Sequence, residues 1–225
     1  MELRFHDEVE IPVGKTILKG ELIVPLKVNG IVIFSHGSGS SRLSPRNKIV
    51  AHYLLQQNFG TLLFDLLTEK EDEQYHNRFD IELLTRRLIG ATEWLEKQPV
   101  AVGCRLGYFG ASTGAASALK AAAYLTQIAA VVSRGGRPDL AMDVLNKVEA
   151  PTLLIVGGLD FDVIRLNREA YSHLNSAKRL EIIEGATHLF EERGKMDEVC
   201  ELAGRWFEKY LHPLSMEATN NKHYQ

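Results

Sequence analysis

Between residues 3 and 24 apolar and polar side chains alternate: Leu3 and Phe5, then Val9, Ile11 and Val13, and after a break at Gly14-Lys15, Leu18, Leu22 and Val24. A period of two puts every second side chain on one face, which predicts an opening β-hairpin. Further on the pattern changes to six short runs that are apolar at almost every position: Ile31-Val32-Ile33-Phe34, Thr61-Leu62-Leu63-Phe64, Leu106-Gly107-Tyr108-Phe109, Ala129-Ala130-Val131-Val132, Leu153-Leu154-Ile155-Val156 and Leu180-Glu181-Ile182-Ile183. Such runs suit strands buried on both faces of a parallel sheet. Helix-length stretches separate them. The clearest carries Ile81, Leu84, Leu88, Ala91 and Leu95 at steps of three and four, with Asp80 placed to cap it, and the last repeats the stripe with Met196, Val199, Cys200, Ala203, Trp206, Phe207 and Tyr210. Hairpin and runs together predict an α/β chain, a doubly wound, mostly parallel eight-stranded sheet with helices on both faces. One domain is expected over residues 1–211, with the polar, aperiodic stretch 212–225 a disordered tail. Before Pro151 there is room for one helix, over 139–148, so no large lid and an open site are expected, and the polar stretch 68–75 is expected to be a mobile flap or a solvated loop.

Composition narrows the function classes without choosing one. The 225 residues are 45% hydrophobic and 24% charged with a net charge of −3, which is no basic excess for a nucleic-acid or membrane-surface partner. The start, Met1-Glu2-Leu3-Arg4, lacks the pattern of a secretion signal, and no apolar run approaches the roughly 18 residues of a membrane span. The expectation is a cytoplasmic protein with no membrane or nucleic-acid partner, and nothing in the sequence speaks to its oligomeric state. Cys104 and Cys200 have neither CxxC nor Cys/His spacing, so two buried free thiols are expected, and no metal or cofactor.

In a sheet of this kind ligands bind beyond the carboxyl ends of the strands, so the residues after each run are the informative ones. After the third run stands Gly110-Ala111-Ser112-Thr113-Gly114, a G-x-S-x-G between a predicted strand and an alanine-rich helix predicted over 115–125. Small residues there let a serine sit on a strained turn, hydroxyl exposed, with the next backbone N–H facing a developing oxyanion. The five-residue pattern alone is weak, since glycine and serine are common in loops. Chain order strengthens it: acids follow a later strand in Gly157-Gly158-Leu159-Asp160-Phe161-Asp162, and Gly185-Ala186-Thr187-His188 follows the last.

With that order the chain resembles the α/β-hydrolase superfamily over nearly all of its predicted ordered length, and most closely the dienelactone-hydrolase-like branch. The resemblance implies Ser112 as nucleophile, His188 as general base and Asp160 as the orienting carboxylate, matched through G-x-x-D-x-x-V ending at Val163, with Asp162 as the rival acid. His36-Gly37-Ser38-Gly39 resembles the HGxG loop, which implies backbone oxyanion donors at Ser38 and Thr113 and a structural His36. That branch uses a cysteine nucleophile and a glutamate beside the oxyanion loop; this chain has Ser112 and Ser38-Gly39-Ser40-Ser41-Arg42. The implied chemistry is therefore that of a serine esterase or thioesterase acting on a small acyl ester or thioester through an acyl-enzyme.

Arg42, Arg46, Arg134 and Arg137 flank these loops and are candidate substrate-binding residues for an anionic ester; equally, they could pair with Asp65, Asp139, Asp162 or neighbouring acids. The same stretches exclude other classes. A dinucleotide fingerprint at Gly37-Ser38-Gly39 fails where Arg42 replaces the third glycine, a Walker A loop before Gly14-Lys15-Thr16 fails at Val9, and no HExxH is present. The alternative from another class is a catalytically silent hydrolase fold serving as a binding or scaffold module.

Overall fold

The computed structural model describes residues 2–212; of the tail expected over 212–225, all but His212 lies outside the described residues. The chain opens with β1 (Leu3–Val13) and β2 (Thr16–Pro25), an antiparallel hairpin turned at Gly14, whose φ of 62° suits a residue without a Cβ. Then come β3 (Gly30–Ser35), α1 (Pro45–Gln56), β4 (Phe59–Phe64), α2 (Glu69–Asp72), α3 (Ile81–Glu96), β5 (Leu106–Ala111), α4 (Thr113–Tyr124), β6 (Ile128–Arg134), β7 (Thr152–Gly157), α5 (Phe161–His173), β8 (Lys178–Ile183) and α6 (Lys195–Leu211). The eight strands form one sheet in the order β1-β2-β4-β3-β5-β6-β7-β8, parallel from β4 onward, with the hairpin joined antiparallel through β2.

Why these runs became central strands is visible in their burial: every residue of β3, β4, β5, β6 and β7 is buried. Alternate side chains of each strand feed two cores. One packs Ile33, Leu62, Tyr108 and Val131 against α3 and α4; the other packs Val32, Phe34, Phe109 and Val132 against α1 and α6. Asp80 caps α3 as expected, its carboxylate accepting from the Leu83 N–H at 2.9 Å.

Three local expectations change. The single helix expected over 139–148 is replaced by two 3-10 turns, Pro138–Ala141 and Leu145–Lys147. The connection must descend a strand length, roughly 20 Å at about 3.3 Å per residue, and tight turns joined by extended residues cover that drop better than a short α-helix with its 1.5 Å rise. Ala141, Val144, Leu145 and Val148 are buried all the same, so the apolar spacing was real and its helical interpretation was not. The stretch 68–75, expected as a flap or solvated loop, is braced. Thr68 and Glu71 form a capping box, and the Arg87 guanidinium donates to Glu71 at 2.5 Å. Of the two free cysteines, Cys200 is buried and its thiol is pushed up to about 12, chiefly by desolvation, whereas Cys104 is only half-buried.

Candidate active site

The loops beyond the carboxyl ends of β3, β5, β6, β7 and β8 meet around Ser112. This residue stands between β5 and α4 with φ 51° and ψ −122°, a backbone that an L-residue adopts only under strain. Its neighbours explain the glycines on either side. A Cβ at Gly114 would sit 2.1 Å from the Ser35 carbonyl oxygen and 2.4 Å from that of His36, and one at Gly110 would sit 2.5 Å from the Ala115 Cα. The turn is thus pressed between β3 and the start of its own helix. Ser112 N–H donates to the Arg134 carbonyl at 3.2 Å, and Ser112 C=O accepts from Ala115 and Arg137 N–H, each at 3.1 Å.

The acid and the histidine come from the next two strand ends. Asp160 heads α5 yet makes no side-chain cap; its Oδ2 instead accepts from His188 Nδ1–H at 2.6 Å. Asp162 lies two residues on, exposed in the first turn of the helix. Gly158 N–H donates to Ile183 C=O at 2.8 Å and Leu159 N–H to Ala186 C=O at 2.9 Å, which stitch the Asp160 loop to the His188 loop. A Cβ at Gly157 would collide with the Ala186 and Thr187 carbonyls at 2.5 Å, so only glycine allows that approach. Glu192 braces the far side, accepting from Thr187 N–H at 3.1 Å, and its carboxyl is held below its ordinary value, first by the Thr187 side chain and then by backbone N–H groups and the charge of Lys195. The His188 ring packs over Gly135, where an added Cβ would lie 3.5 Å from its Cε1 and Nδ1, and Gly37 packs on Ser112, its added Cβ 3.0 Å from the serine Cβ. With Arg134 bonded to Ser112 and followed directly by Gly135, these contacts gather serine, histidine and the β3 loop in one place.

Of the two expected oxyanion donors, Thr113 N–H opens α4, while Ser38 N–H donates to the Thr113 hydroxyl at 2.9 Å. His36 is buried and fixed at both ring nitrogens: Nε2 accepts from Leu66 N–H at 3.0 Å, so the proton is on Nδ1, which donates to Gly37 C=O at 3.0 Å. Burial holds this imidazole below its ordinary value, outweighing the Gly37 carbonyl and the carboxylates of Asp65 and Asp72, which favour the charged form. A neutral folded histidine opposed to an unfolded one that takes up a proton near pH 6.5 makes stability fall as pH drops below about 6.5. Thermal midpoints between pH 7.5 and 5.5 should fall more for the wild type than for His36→Gln, whose amide oxygen can still accept from Leu66; equal slopes would assign the acid sensitivity elsewhere.

The four arginines separate. Arg42 donates to Asp65 from its backbone N–H and from Nη1, both at 2.7 Å; Arg137 makes a two-pronged pair with Asp139 at 2.9 and 2.8 Å; Arg46 Nη1 donates to Glu191 at 3.0 Å. Arg134 is 6% exposed, with its guanidinium 5.8 Å from the centre of the Phe190 ring. Its burial and the neighbouring charge of Arg46 push it down to about 10, still cationic at neutral pH. A cavity of about 460 Å³ lies beside the β3 loop, lined in part by His36, Ser41, Arg42, Asp65 and Leu67 rather than by Ser112, Asp160 or His188. Sequence reasoning had no signal for the Thr113 hydroxyl on Ser38, for Glu192 as a brace, or for Phe190, which is fully buried at φ 57°.

A mostly parallel eight-stranded sheet with these strand-end loops defines the α/β-hydrolase fold. Within it the chain belongs to the dienelactone hydrolase family, whose profile matches residues 19–214. A crystal structure of a dienelactone hydrolase from Anabaena variabilis is 52% identical and superposes with a TM-score of 0.91, covering 94% of this chain and 100% of that one. Est1E from Butyrivibrio proteoclasticus, 15% identical with a TM-score of 0.77 over 90% of this chain and 98% of its own, shares the fold. Proteins of two Mycobacterium tuberculosis strains, each named "Putative phosphoribosyl transferase", are 53% identical over 206 residues; the match takes 91% of this chain and 46% of theirs. The chain thus spans less than half the length of these curated relatives. Among the described residues no helix is long and apolar enough to cross a membrane.

Proposed function

We propose that the chain is a serine hydrolase that cleaves a small acyl ester or thioester. The observation that carries this reading is the 2.6 Å bond from His188 Nδ1 to Asp160, made beside a serine held in a strained strand-to-helix turn. In the proposed reaction Asp160 fixes the imidazole tautomer, leaving Nε2 to take the Ser112 proton as Oγ attacks the carbonyl carbon. The oxyanion that forms is met by the Thr113 and Ser38 N–H groups, the second released when the Thr113 hydroxyl turns aside. His188 then gives its proton to the departing alcohol or thiol, and water repeats the sequence to free the acid. The name of the Mycobacterium relatives belongs to chains about twice as long, and the part matched here is proposed to carry hydrolysis.

One observation favours the rival, a silent binding module: Ser38 N–H is already satisfied by Thr113. A fluorophosphonate probe separates the two. The wild type should be labelled, and Ser112→Ala and His188→Ala should not; a folded wild type that resists the probe would favour the module.

A further inference from the structure

Asn167 takes no part in the proposed proton transfers, yet it is a fully buried polar side chain in the middle of α5. Its Nδ2 donates twice: to the Val163 carbonyl one turn back on its own helix, at 2.8 Å, and across to the Gly136 carbonyl, at 3.0 Å. Its Oδ1 is buried and meets no donor among the described residues. An unpaired buried oxygen is a cost that an apolar residue of similar size avoids, so what the amide contributes is the pair of bonds from its nitrogen. The first bond fixes the rotamer; the second joins two parts of the site. Asp160 heads α5 about two turns before Asn167, which puts both on one side of the helix. Gly136 belongs to the loop after β6 that meets both Ser112 and His188. Arg134 C=O and Arg137 N–H bond the backbone of Ser112, and Gly135 lies under the His188 ring. Gly136 itself is pressed on α4, where an added Cβ would fall 2.6 Å from the Ala115 Cβ.

We propose that Asn167 is a positioning residue, its amide setting α5 against the Gly136 loop so that Asp160 meets His188 while His188 faces Ser112. The roles of those three rest on the hydrolase reading; the tie itself does not. Backbone bonds from Gly158 and Leu159 fasten the Asp160 loop to the His188 loop, and Asn167 fastens the same helix to the loop that seats Ser112. The Asp160 carboxylate makes no cap on α5, so its bond to His188 depends on where the helix is held. Leucine at 167 would fill the space and give up both bonds. A misplacement of about 1 Å, caused far from the chemistry, is enough to cost about a hundredfold in rate.

The test reads kcat and KM on 4-nitrophenyl butyrate, and the rate of fluorophosphonate labelling, for Asn167→Leu alone and in the Asp160→Asn background. In parallel, proton NMR in water follows the His188 Nδ1 proton, which a short bond to a carboxylate moves downfield of the backbone amides; its absence in His188→Ala assigns it. Asn167→Leu should lower kcat and labelling roughly tenfold to a hundredfold while KM stays within about threefold. The Nδ1 proton should shift or broaden at temperatures well below the thermal midpoint of the variant. With Asp160 already replaced, the same substitution should cost less than about threefold, because the bond it aligns is gone. A general loss of packing would instead lower the midpoint and cost the same factor in both backgrounds. If Asn167→Leu does not fold, Asn167→Ser, whose shorter side chain gives up Gly136, carries the same comparison. An unmoved proton, or equal factors in the two backgrounds, would overturn the assignment. If the wild type neither turns over the ester nor takes the probe, yet the proton moves in Asn167→Leu, the tie stands and the hydrolase reading falls.

Discussion

Asp160→Asn should lower kcat on a small acyl ester by about 10⁴-fold, while Asp162→Asn should leave it within about threefold. The asymmetry follows from where the two carboxylates point. Asp160 forgoes the cap of its own helix and accepts the proton-bearing Nδ1 of His188, so an amide there can present N–H to the ring, invert the tautomer and leave no lone pair facing the serine. Asp162 is exposed on the first turn of α5, where its charge only favours the helix N-terminus. Steady-state kinetics on the two variants, with folding checked by circular dichroism, decides between them. A large loss in Asp162→Asn with Asp160→Asn active would reverse the assignment of the acid.

Gly114→Ala should be the most damaging single methyl in the chain. Its Cβ would fall 2.1 Å from the Ser35 oxygen and 2.4 Å from the His36 oxygen, both backbone atoms that no side-chain rotation can move. Relief requires α4 to lift away from β3, parting the Ser112 turn from the loop that holds Ser38. A destabilisation above about 3 kcal/mol is expected, at or beyond the upper end for overpacked cores. Gly103→Ala is the control: its φ of 79° strains an alanine, but nothing lies within 4 Å of the added carbon, so about 1 kcal/mol is expected. Urea unfolding of both variants tests the contrast, and equal midpoints would mean that the turn is not pinned as described.

Much of this was legible in the sequence because burial writes itself into apolar pattern. Runs such as Ile31-Val32-Ile33-Phe34 had to be strands covered on both faces, and the alternation before them had to be a two-faced hairpin. The site was legible to the extent that position follows from chain order, with small residues flanking Ser112 and polar residues ending the next strands. Partnership was not legible. Whether Arg42 meets a substrate or Asp65 depends on a loop crossing that no spacing encodes, and sequence alone left that choice open. The same limit applies to Thr113, read for its backbone N–H while its hydroxyl bonds to Ser38, and to the crossover before β7, where apolar spacing fitted a helix and the chain made two tight turns.

The positive φ of Ser112 has a consequence for how such a protein can change over time. A non-glycine residue held there costs of order 1–3 kcal/mol, against a total stability of about 5–15 kcal/mol for a typical domain. Glycine would relieve that cost and would lack the hydroxyl. At this one position, selection for a sturdier protein and selection for the proposed nucleophile pull in opposite directions, and a lineage freed from the second would be expected to drift toward glycine.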